Sequence, residues 1–236
     1  MLEKEKFFPL NQDEINQRRN DLGFKHEDFI IHHHSSMRKI KCPEIILETA
    51  KNVSELIPES CILIMTGPVP IEEIKLFNCN LVEINHKVFK YRTDIGKLTV
   101  FWTGVSSEVE YLLQISNVEL NTSLHDSFNI SLMEALACGI PVVTSDVVGI
   151  SEHIRISDSG FCFPTKKLNF DELNKTLLSN DSKRKLFDID YTVNAIIQLA
   201  RDKNLAKKMG SSGANYVAET FDFSKAFNVF NKYLNE

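Results

Sequence analysis

From residue 28 onward, short runs of apolar and β-branched residues alternate with longer segments whose apolar residues recur every three or four positions. This alternation is typical of βαβ units, which build a mostly parallel sheet with helices on both faces. With 236 residues, 43% of them hydrophobic, the chain is large enough to bury such a sheet. We therefore predict an α/β fold with a Rossmann-like, doubly wound parallel sheet. Its strands are predicted at 29–33, 61–66, 81–84, 98–102, 118–121, 141–145 and 160–163.

Helical spacing marks residues 43–57 and 106–116, which should cover the sheet, and nearly everything after residue 165. The sequence thus predicts a C-terminal helical tail. In its last helix Phe223, Phe227, Phe230 and Leu234 form an apolar stripe on one face. This stripe either packs on the domain's own helices or covers a surface of a partner.

Charge and cysteine content exclude several classes of protein. A formal net charge of −5 argues against a nucleic acid or an anionic membrane as the main partner. The five cysteines are scattered and lack any Cys-x-x-Cys spacing, which favours a reducing compartment without disulfides or a zinc site. No signal-peptide pattern occurs, and no apolar run is long enough to span a bilayer. We therefore predict a soluble, cytoplasmic protein with no nucleic-acid partner and no transmembrane segment.

The stretch HDSFNISLMEALACGIPVVTSDVVG (125–149) carries the strongest functional signal. It predicts a helix over 128–138 that ends at Gly139 in the left-handed conformation. Glu134 would lie about 9 Å along the helix axis from the first residue. An anion bound by the free N–H groups of the first turn would then lie about one sugar ring from Glu134. Asp126, just before that turn, either faces this ligand or only complements the helix dipole.

A second basic element follows the first predicted strand. In HHHSSMRKIKC, Arg38 and Lys41 lie three residues apart, where their side chains can converge on a phosphate. The alternative is a solvated basic surface. His33, at the end of the strand and near Arg38, is a further candidate for contact with the ligand.

Taken together, these segments resemble the retaining GT-B glycosyltransferases of group 1, the family 4 type. Their donor-site motif is an acidic residue, seven residues, then Glu, followed by Ala-x-Ala-Cys-Gly-x-Pro-Val-Val, which DSFNISLMEALACGIPVVTSDVVGISEHI matches. Further counterparts are RRNDLGFKHEDFIIHHHSSMRKIKCPEIILETA, CILIMTGPVP, VFWTGVSSEVEYLLQISNVELNTS and NLAKKMGSSGANYVAETFDFSKAF. The resemblance implies the C-terminal, donor-binding half of a GT-B fold. It divides the chain into a lead-in and linker at 1–24, a Rossmann-like nucleotide-sugar-binding domain at 25–165, an insertion at 166–190 and C-terminal helices at 191–236 that pack on the domain.

The resemblance also implies roles for the matching residues. Arg38 and Lys41 would bind the diphosphate of a nucleotide-sugar donor, Asp126 would contact the donor sugar, and Glu134 would accept hydrogen bonds from ribose hydroxyls. Gly104 would permit close backbone approach. Such enzymes need no metal or other cofactor, which agrees with the lack of an Asp-x-Asp loop at the predicted site. Backbone N–H groups would assist at the helix start, where the donor-binding residues are Ser127, Phe128, Asn129 and Ile130.

The sequence departs from the family pattern at several positions. Asp126 is one methylene shorter than the usual Glu, Asn129 replaces a small glycine near the sugar, and Val148 and Ser151 replace a common Gly and Pro. We therefore expect an unusual choice of donor. The family also has an N-terminal domain that binds the acceptor, and this chain resembles the donor half alone. The expected partners are the donor, an unknown acceptor, and either an absent N-terminal acceptor domain or a second copy that covers exposed apolar residues.

Other functions fit the sequence less well. His32, His33 and His34 are consecutive on a strand, so their side chains alternate between faces and do not converge on a metal. A dinucleotide-binding oxidoreductase would need a Gly-x-Gly-x-x-Gly turn after a strand, and none occurs. A sugar-nucleotide epimerase of GT-B architecture would carry further catalytic groups in its N-terminal domain. Two alternatives remain: an enzyme that transfers sugar with retention, and a nucleotide-sugar-binding module that is inactive without a separate acceptor-binding domain.

Overall fold

The computed structural model describes residues 3, 5–68, 82–84, 86–179, 181 and 183–221. The strands in this part of the chain form one sheet. They are β1 (Phe29–His34), β2 (Cys61–Thr66), β3 (Val82–Glu83), β4 (Tyr91–Ile95), β5 (Leu98–Gly104), β6 (Val118–Asn121), β7 (Val142–Ser145) and β8 (Gly160–Phe163). The helices are α1 (Gln12–Asp21), α2 (Pro43–Leu56), α3 (Val109–Gln114), α4 (Ile130–Ala137), α5 (Ser151–Ile156), α6 (Phe170–Leu178), α7 (Ile189–Arg201) and α8 (Lys203–Thr220).

The strand order is β3-β4-β5-β2-β1-β6-β7-β8. From β5 to β8 all neighbours in this order are parallel, whereas β3 and β4 run antiparallel at one edge. This arrangement confirms the predicted doubly wound α/β fold. Strands β2 to β5 lie on one side of β1, and the later strands β6, β7 and β8 lie on its other side. The direction in which strands are added therefore reverses between β1 and β6. Ligands in open α/β sheets bind at such a reversal, outside the carboxyl ends of the strands.

The predicted strands agree with the structure to within two residues at each end, except that Leu81 lies outside the described residues. Strand β4 was not predicted. Its sequence, YRTDI, is polar, and only its central residue, Thr93, is buried, so it lacks the apolar run that marks the buried parallel strands. It pairs with β5 through a two-residue turn in which Gly96 has φ 62°. A glycine adopts this backbone conformation without strain.

Helices cover both faces of the sheet. On one face α2 and α7 bury Ile46, Ala50 and Ile196 against strand residues such as Leu63 and Val100. On the other face α4 and α8 pack together around Leu136 and Val217. Both faces of the parallel strands are therefore dry, which explains their near-continuous apolar sequences.

The predicted lead-in at 1–24 contains a helix that is anchored to the domain. Helix α1 begins with a capping box between Asn11 and Glu14. From it the buried guanidinium of Arg19 donates hydrogen bonds to the carbonyl oxygens of Ile115, His26 and Asp28, at 2.6 to 3.0 Å. This segment therefore packs as part of the fold.

The chain entering the segment predicted as an insertion pairs with the chain near the end of that segment. Thr165 and Phe187 form an isolated antiparallel bridge, and the Lys166 N–H donates to the carbonyl of Leu186 at 2.8 Å. Between them lies α6, which has no buried residue. The four predicted domain boundaries themselves stay predictions. The predicted last helix with its apolar stripe lies outside the described residues.

Candidate functional site

A cleft of about 320 Å³ opens at the carboxyl ends of the strands, at the point where the strand order reverses. Three of the predicted site residues line it: Arg38, Lys41 and Asn129. A larger cavity of about 520 Å³ lies between Pro164 and Asp190, and no predicted site residue lines it. We therefore take the cleft as the candidate site. Its other lining residues are His34, Ser35, Ser36, Thr66, Gly67, Pro68, Val105, Ser106 and Ser131.

The loop after β1 supplies the two cations of the cleft. Lys41 ends a single 3₁₀ turn, Lys39–Lys41, and its Nζ lies 2.5 Å from Oδ2 of Asp126, which follows β6. The Lys41 carbonyl accepts a hydrogen bond from the Thr122 hydroxyl at 2.8 Å, which joins the same two loops. Arg38 is exposed, and its Nε donates to the Ser36 hydroxyl at 2.9 Å. The structure thus brings together Lys41 and Asp126, which are 85 positions apart in the chain.

Helix α4 begins two residues later than predicted, because Asn129 is extended (φ −79°, ψ 101°) and serves as its N-cap. The Asn129 side chain caps no backbone N–H of the helix. Its Oδ1 accepts from the Ser131 hydroxyl at 2.6 Å, while its buried Nδ2 has no hydrogen-bond partner among the described residues. The first-turn N–H groups of a helix have no partners within it, so they are free to bind an anion. Glu134 lies about 6 Å along the axis from the first helical residue.

The other predicted residues around the start of α4, Ser127, Phe128 and Ile130, do not line the cleft. Phe128 packs its ring against His153 and Phe221, with centroids 5.9 and 5.5 Å apart, while Ser127 and Ile130 are exposed. Gly149 holds this loop, since its N–H donates to the Asp126 carbonyl at 2.9 Å. A Cβ at Gly149 would collide with the carbonyl oxygen of Ser127. The backbone of this loop is thus held by Gly149, and the Phe128 side chain anchors it instead of lining the cleft.

Glu134 borders the cleft through His34. Its Oε2 lies 3.7 Å from Nδ1 of His34, a distance too long for a hydrogen bond. Burial in the first place, and the nearby Glu119 and Glu110 in the second, raise the pKa of Glu134 to about 7. Burial also lowers the pKa of His34 to about 4. Both groups are therefore largely uncharged between about pH 5 and pH 6. The buried His34 Nδ1 has no hydrogen-bond partner among the described residues.

A buried hydrogen-bond network holds the end of β1 beneath the cleft. Glu119 accepts from the backbone N–H of His34 at 2.9 Å, and its other oxygen lies 2.6 Å from Nδ1 of His32. Nε2 of His32 lies 3.0 Å from the hydroxyl of Thr66, a lining residue. Burial raises the pKa of Glu119 and lowers that of His32, so it disfavours the charged form of both groups. This network fixes the positions of His34 and Thr66.

Two further predicted residues lie close to the cleft without lining it. The ring of His33 is fully buried, and it contacts the Leu120 carbonyl at 2.8 Å and the Ser35 hydroxyl at 2.7 Å. In this position it supports Ser35 instead of touching a ligand, because strand alternation turns it away from the side that His34 occupies. Gly104 has φ 71°, and its carbonyl accepts from the Gly67 N–H at 2.9 Å, just before the lining residue Val105.

Sequence reasoning missed several lining residues, chiefly His34, Ser131 and the serines of the two strand-end loops. The signal for His34 was its place as the last residue of a strand next to the order reversal, one position beyond the predicted end. Nothing in the sequence distinguished the serines. Within the described ranges no group of three His, Cys, Asp or Glu residues is arranged to hold a metal ion. No helix in those ranges is both long and apolar enough to cross a membrane.

A family model described as glycosyl transferases group 1 matches residues 14–189, and the chain belongs to this family. It is 23% identical over 212 residues to the N-acetyl-alpha-D-glucosaminyl L-malate synthase of Bacillus anthracis, covering 90% of this chain and 46% of that protein. The chain thus spans about half the length of the curated relatives it matches.

Solved structures share the fold. A complex of Anabaena Alr3699/HepE with UDP-glucose superposes with a TM-score of 0.68 at 16% identity, covering 99% of this chain and 55% of that one. The C-terminal domain of a group 1 family glycosyl transferase, LpcC from Francisella tularensis, superposes with a TM-score of 0.61 at 14% identity, covering 94% of this chain and all of that domain. These likenesses confirm that the chain has the Rossmann-like α/β fold of GT-B glycosyltransferases.

Proposed function

We propose that the chain binds a nucleoside-diphosphate sugar and acts as the donor-binding part of a retaining glycosyltransferase. The observation that carries this proposal is the meeting of three ligand-binding features in one region. These are the cations Arg38 and Lys41, the free N–H groups at the start of α4, and the Glu134 carboxyl group about one turn further along. A diphosphate with a ribose on one side and a sugar on the other has this sequence of charges and hydroxyls.

Each residue then has a distinct task. Arg38 and Lys41 hold the diphosphate and stabilise the negative charge that develops on the departing nucleotide, so no metal ion is needed. Glu134 accepts hydrogen bonds from ribose hydroxyls. Asp126 contacts the donor sugar, and its ion pair with Lys41 holds it at the edge of the phosphate site. The acceptor attacks from the face that the diphosphate leaves, which retains the configuration.

The HepE complexes with UDP and UDP-glucose support a nucleotide-sugar donor, because that protein shares the fold over 99% of this chain. Helix α4, with its N-terminus at the cleft, is the element that positions both phosphate and ribose groups here. We therefore propose UDP-sugars as the first class of donor to test.

Donor binding without transfer is a second candidate function. The curated relatives are about twice as long as this chain. This supports donor binding without transfer, because the transfer reactions of the relatives are carried out by longer proteins. The acceptor would then be held by a separate domain. Incubating the 236-residue chain with its donor and candidate acceptors distinguishes the two functions, because a sugar-transfer product supports the enzyme and binding without a product supports the module.

The donor proposal is tested by thermal unfolding with UDP-, GDP- and ADP-sugars. Ligand at about 100 times its dissociation constant adds about 2.7 kcal/mol to the free energy of unfolding. For a domain of this size the melting temperature should rise by roughly 5 to 11 °C. We expect this shift with one base, and we expect Glu134→Ala to abolish it while Glu27→Ala, an exposed carboxylate outside the cleft, leaves it unchanged. No shift of the wild-type chain with any nucleotide sugar would contradict the proposal.

A further inference from the structure

A buried carboxyl group, that of Glu119, is connected to the cleft by hydrogen bonds through His32. One Glu119 oxygen accepts from the backbone N–H of His34 at 2.9 Å, and the other lies 2.6 Å from Nδ1 of His32. Nε2 of His32 lies 3.0 Å from the hydroxyl of Thr66, which lines the cleft. Glu119 and His32 are 0% exposed and Thr66 is 1% exposed. These three side chains therefore form a continuous chain from the interior to the floor of the cleft.

The directions of the two hydrogen bonds of His32 are coupled. Burial lowers the pKa of His32 to about 3, so the ring is neutral near pH 7. A neutral imidazole carries a proton on one nitrogen and accepts a hydrogen bond at the other. Both ring nitrogens of His32 have an oxygen within hydrogen-bond distance, so both roles are filled. The direction of the bond to Glu119 thus determines the direction of the bond to Thr66.

Two protonation states of this chain follow. Protonated Glu119 donates to Nδ1 of His32, Nε2–H donates to the Thr66 oxygen, and the Thr66 hydroxyl proton is left available. Ionised Glu119 accepts from Nδ1–H, and the bare Nε2 accepts the Thr66 hydroxyl proton. Ionisation releases one proton in all: the carboxyl proton passes to Nδ1, the Nε2 proton passes to Thr66, and the original hydroxyl proton leaves. Among the described residues, His32 is the hydrogen-bond partner of the Thr66 hydroxyl.

The surroundings of Glu119 favour its protonated form at neutral pH. Burial raises the pKa of Glu119 to about 8, although the N–H of His34 acts in the opposite direction. The titratable groups around it are His32 and His34 on β1 and Glu134 on α4, whose own pKa Glu119 raises. Helix α3 adds Glu110, which acts on Glu134, and the neighbouring strand β7 has only uncharged residues.

We propose that the Glu119–His32 pair controls whether the Thr66 hydroxyl donates or accepts a hydrogen bond at the floor of the cleft. With Glu119 protonated, Thr66 donates to an oxygen of the bound ligand, and with Glu119 ionised it does not. Glu119 and His32 are thus positioning residues that act through Thr66, and they make binding depend on one buried proton. The effect on a nucleotide rests on the proposed function, whereas the tautomer of His32 is independent of it.

The first test follows the ring nitrogens of His32 by NMR spectroscopy of the isotope-labelled, 236-residue chain without ligand. Protonated and bare ring nitrogens differ in chemical shift, so the spectrum identifies the tautomer. We expect the proton on Nε2 near pH 6.5 and on Nδ1 near pH 9.5. The amide of Glu119→Gln donates to Nδ1 while its oxygen accepts from His34, so this variant should keep Nε2–H at both pH values. Glu83→Gln, at an exposed position of β3, should change tautomer like the wild type.

The second test is calorimetric titration with UDP, or with GDP or ADP if the melting experiment favours that base. Glu119→Gln has every titrating group of the wild type except Glu119. Between pH 7 and pH 9.5 the wild type should therefore lose affinity by about fivefold more than Glu119→Gln, the effect of about one hydrogen bond. Thr66→Val lacks the hydroxyl and should bind about fivefold more weakly than wild type at pH 7. Thr66→Ser keeps the hydroxyl and should restore binding.

The outcomes separate this inference from the proposed function. A single tautomer of His32 in the wild type at both pH values would overturn the inference. So would equal pH dependence of UDP affinity in the wild type and Glu119→Gln, or full affinity in Thr66→Val. If the wild type binds no nucleoside diphosphate, the proposed function fails, and the ligand-free spectra still decide whether Glu119 controls His32. If Glu119→Gln does not fold, the wild-type tautomer and the comparison of Thr66→Val with Thr66→Ser decide.

Discussion

At the scale of single residues, Glu134 lies at the proposed ribose site, in an environment that disfavours its ionised form. It is half-buried beside His34, with Glu119 and Glu110 near enough to raise its pKa to about 7. A carboxyl group with this pKa is partly protonated at neutral pH, so its ionised form can accept hydrogen bonds from the ribose hydroxyls of the proposed donor. The burial and the nearby carboxyl groups that raise the pKa of Glu134 also reduce the stability of the folded chain when Glu134 is ionised.

Replacing Glu134 with Gln should therefore change the dependence of stability on pH. The pKa of Glu134 is raised from 4.5 in the unfolded chain to about 7 in the folded one. The folded state then binds more protons between these values, so the wild type loses stability as pH rises through this window. Glu134→Gln lacks this loss. We expect the two proteins to be similarly stable near pH 4 and Glu134→Gln to be the more stable at pH 8.

Urea unfolding at a series of pH values measures this difference directly. Glu27→Gln, at an exposed site, is the matched control and should follow the wild type at every pH. A constant difference between Glu134→Gln and the wild type from pH 4 to pH 8 would refute a raised pKa at Glu134.

At the scale of elements, the site helix α4 is held by close packing against α8. Gly210 of α8 approaches the backbone at the end of α4 so closely that a Cβ there would collide with the carbonyl oxygen of Gly139. Gly139 itself has φ 74°, which confirms the predicted left-handed end of the helix. The position of α4, and of the N–H groups at its start, thus depends on a glycine of a distant helix.

Gly210→Ala should destabilise the protein, although alanine is normally the better helix former. The added methyl group forces α8 away from α4, and overpacking of this kind costs about 1–3 kcal/mol. Ser211→Ala, at the next and exposed position of α8, also raises helix propensity but causes no collision, and it should stay within about 0.5 kcal/mol of wild type. Chemical denaturation of the three proteins checks this, and a stabilised Gly210→Ala would contradict the close contact.

At the scale of the whole molecule, the N-terminal segment is part of the domain. Arg19 is 4% exposed and satisfies carbonyl groups from the loop before β1 and from the end of α3, together with the Asn117 side chain. The side-chain amide of Gln114 likewise donates to the carbonyls of Lys6 and Phe8. The bonds of Arg19 to Ile115 and Asn117, and those of Gln114, connect residues about one hundred positions apart and close the fold on the side of α1.

Arg19→Met should therefore destabilise the whole chain. The change leaves several buried carbonyl oxygens without donors, each costing about 1–3 kcal/mol, so we expect a loss of at least about 3 kcal/mol in the free energy of unfolding. Lys25→Met, which removes an exposed positive charge from the following turn, is the control and should have little effect. Equal stability of Arg19→Met and Lys25→Met in denaturant would mean that the lead-in is only a linker.

Local sequence patterns determined a large part of this protein. Apolar runs such as CILIMT predict buried strands because parallel strands are covered on both faces, and the motif around Glu134 predicts a helix that ends at Gly139. Those signals depend on residues that are close together in the sequence, so they can be recognised without the three-dimensional structure. The polar edge strand β4 carried no such signal, because four of its five residues are at least partly exposed to water.

The tertiary structure alone decided what the site contains. It paired Lys41 with Asp126 and placed His34 rather than His33 next to Glu134. These facts depend on how β1 and β6 lie side by side and where each strand ends. A shift of one residue along a strand moves a side chain to its other face, so spacing along the chain cannot determine which side chains meet.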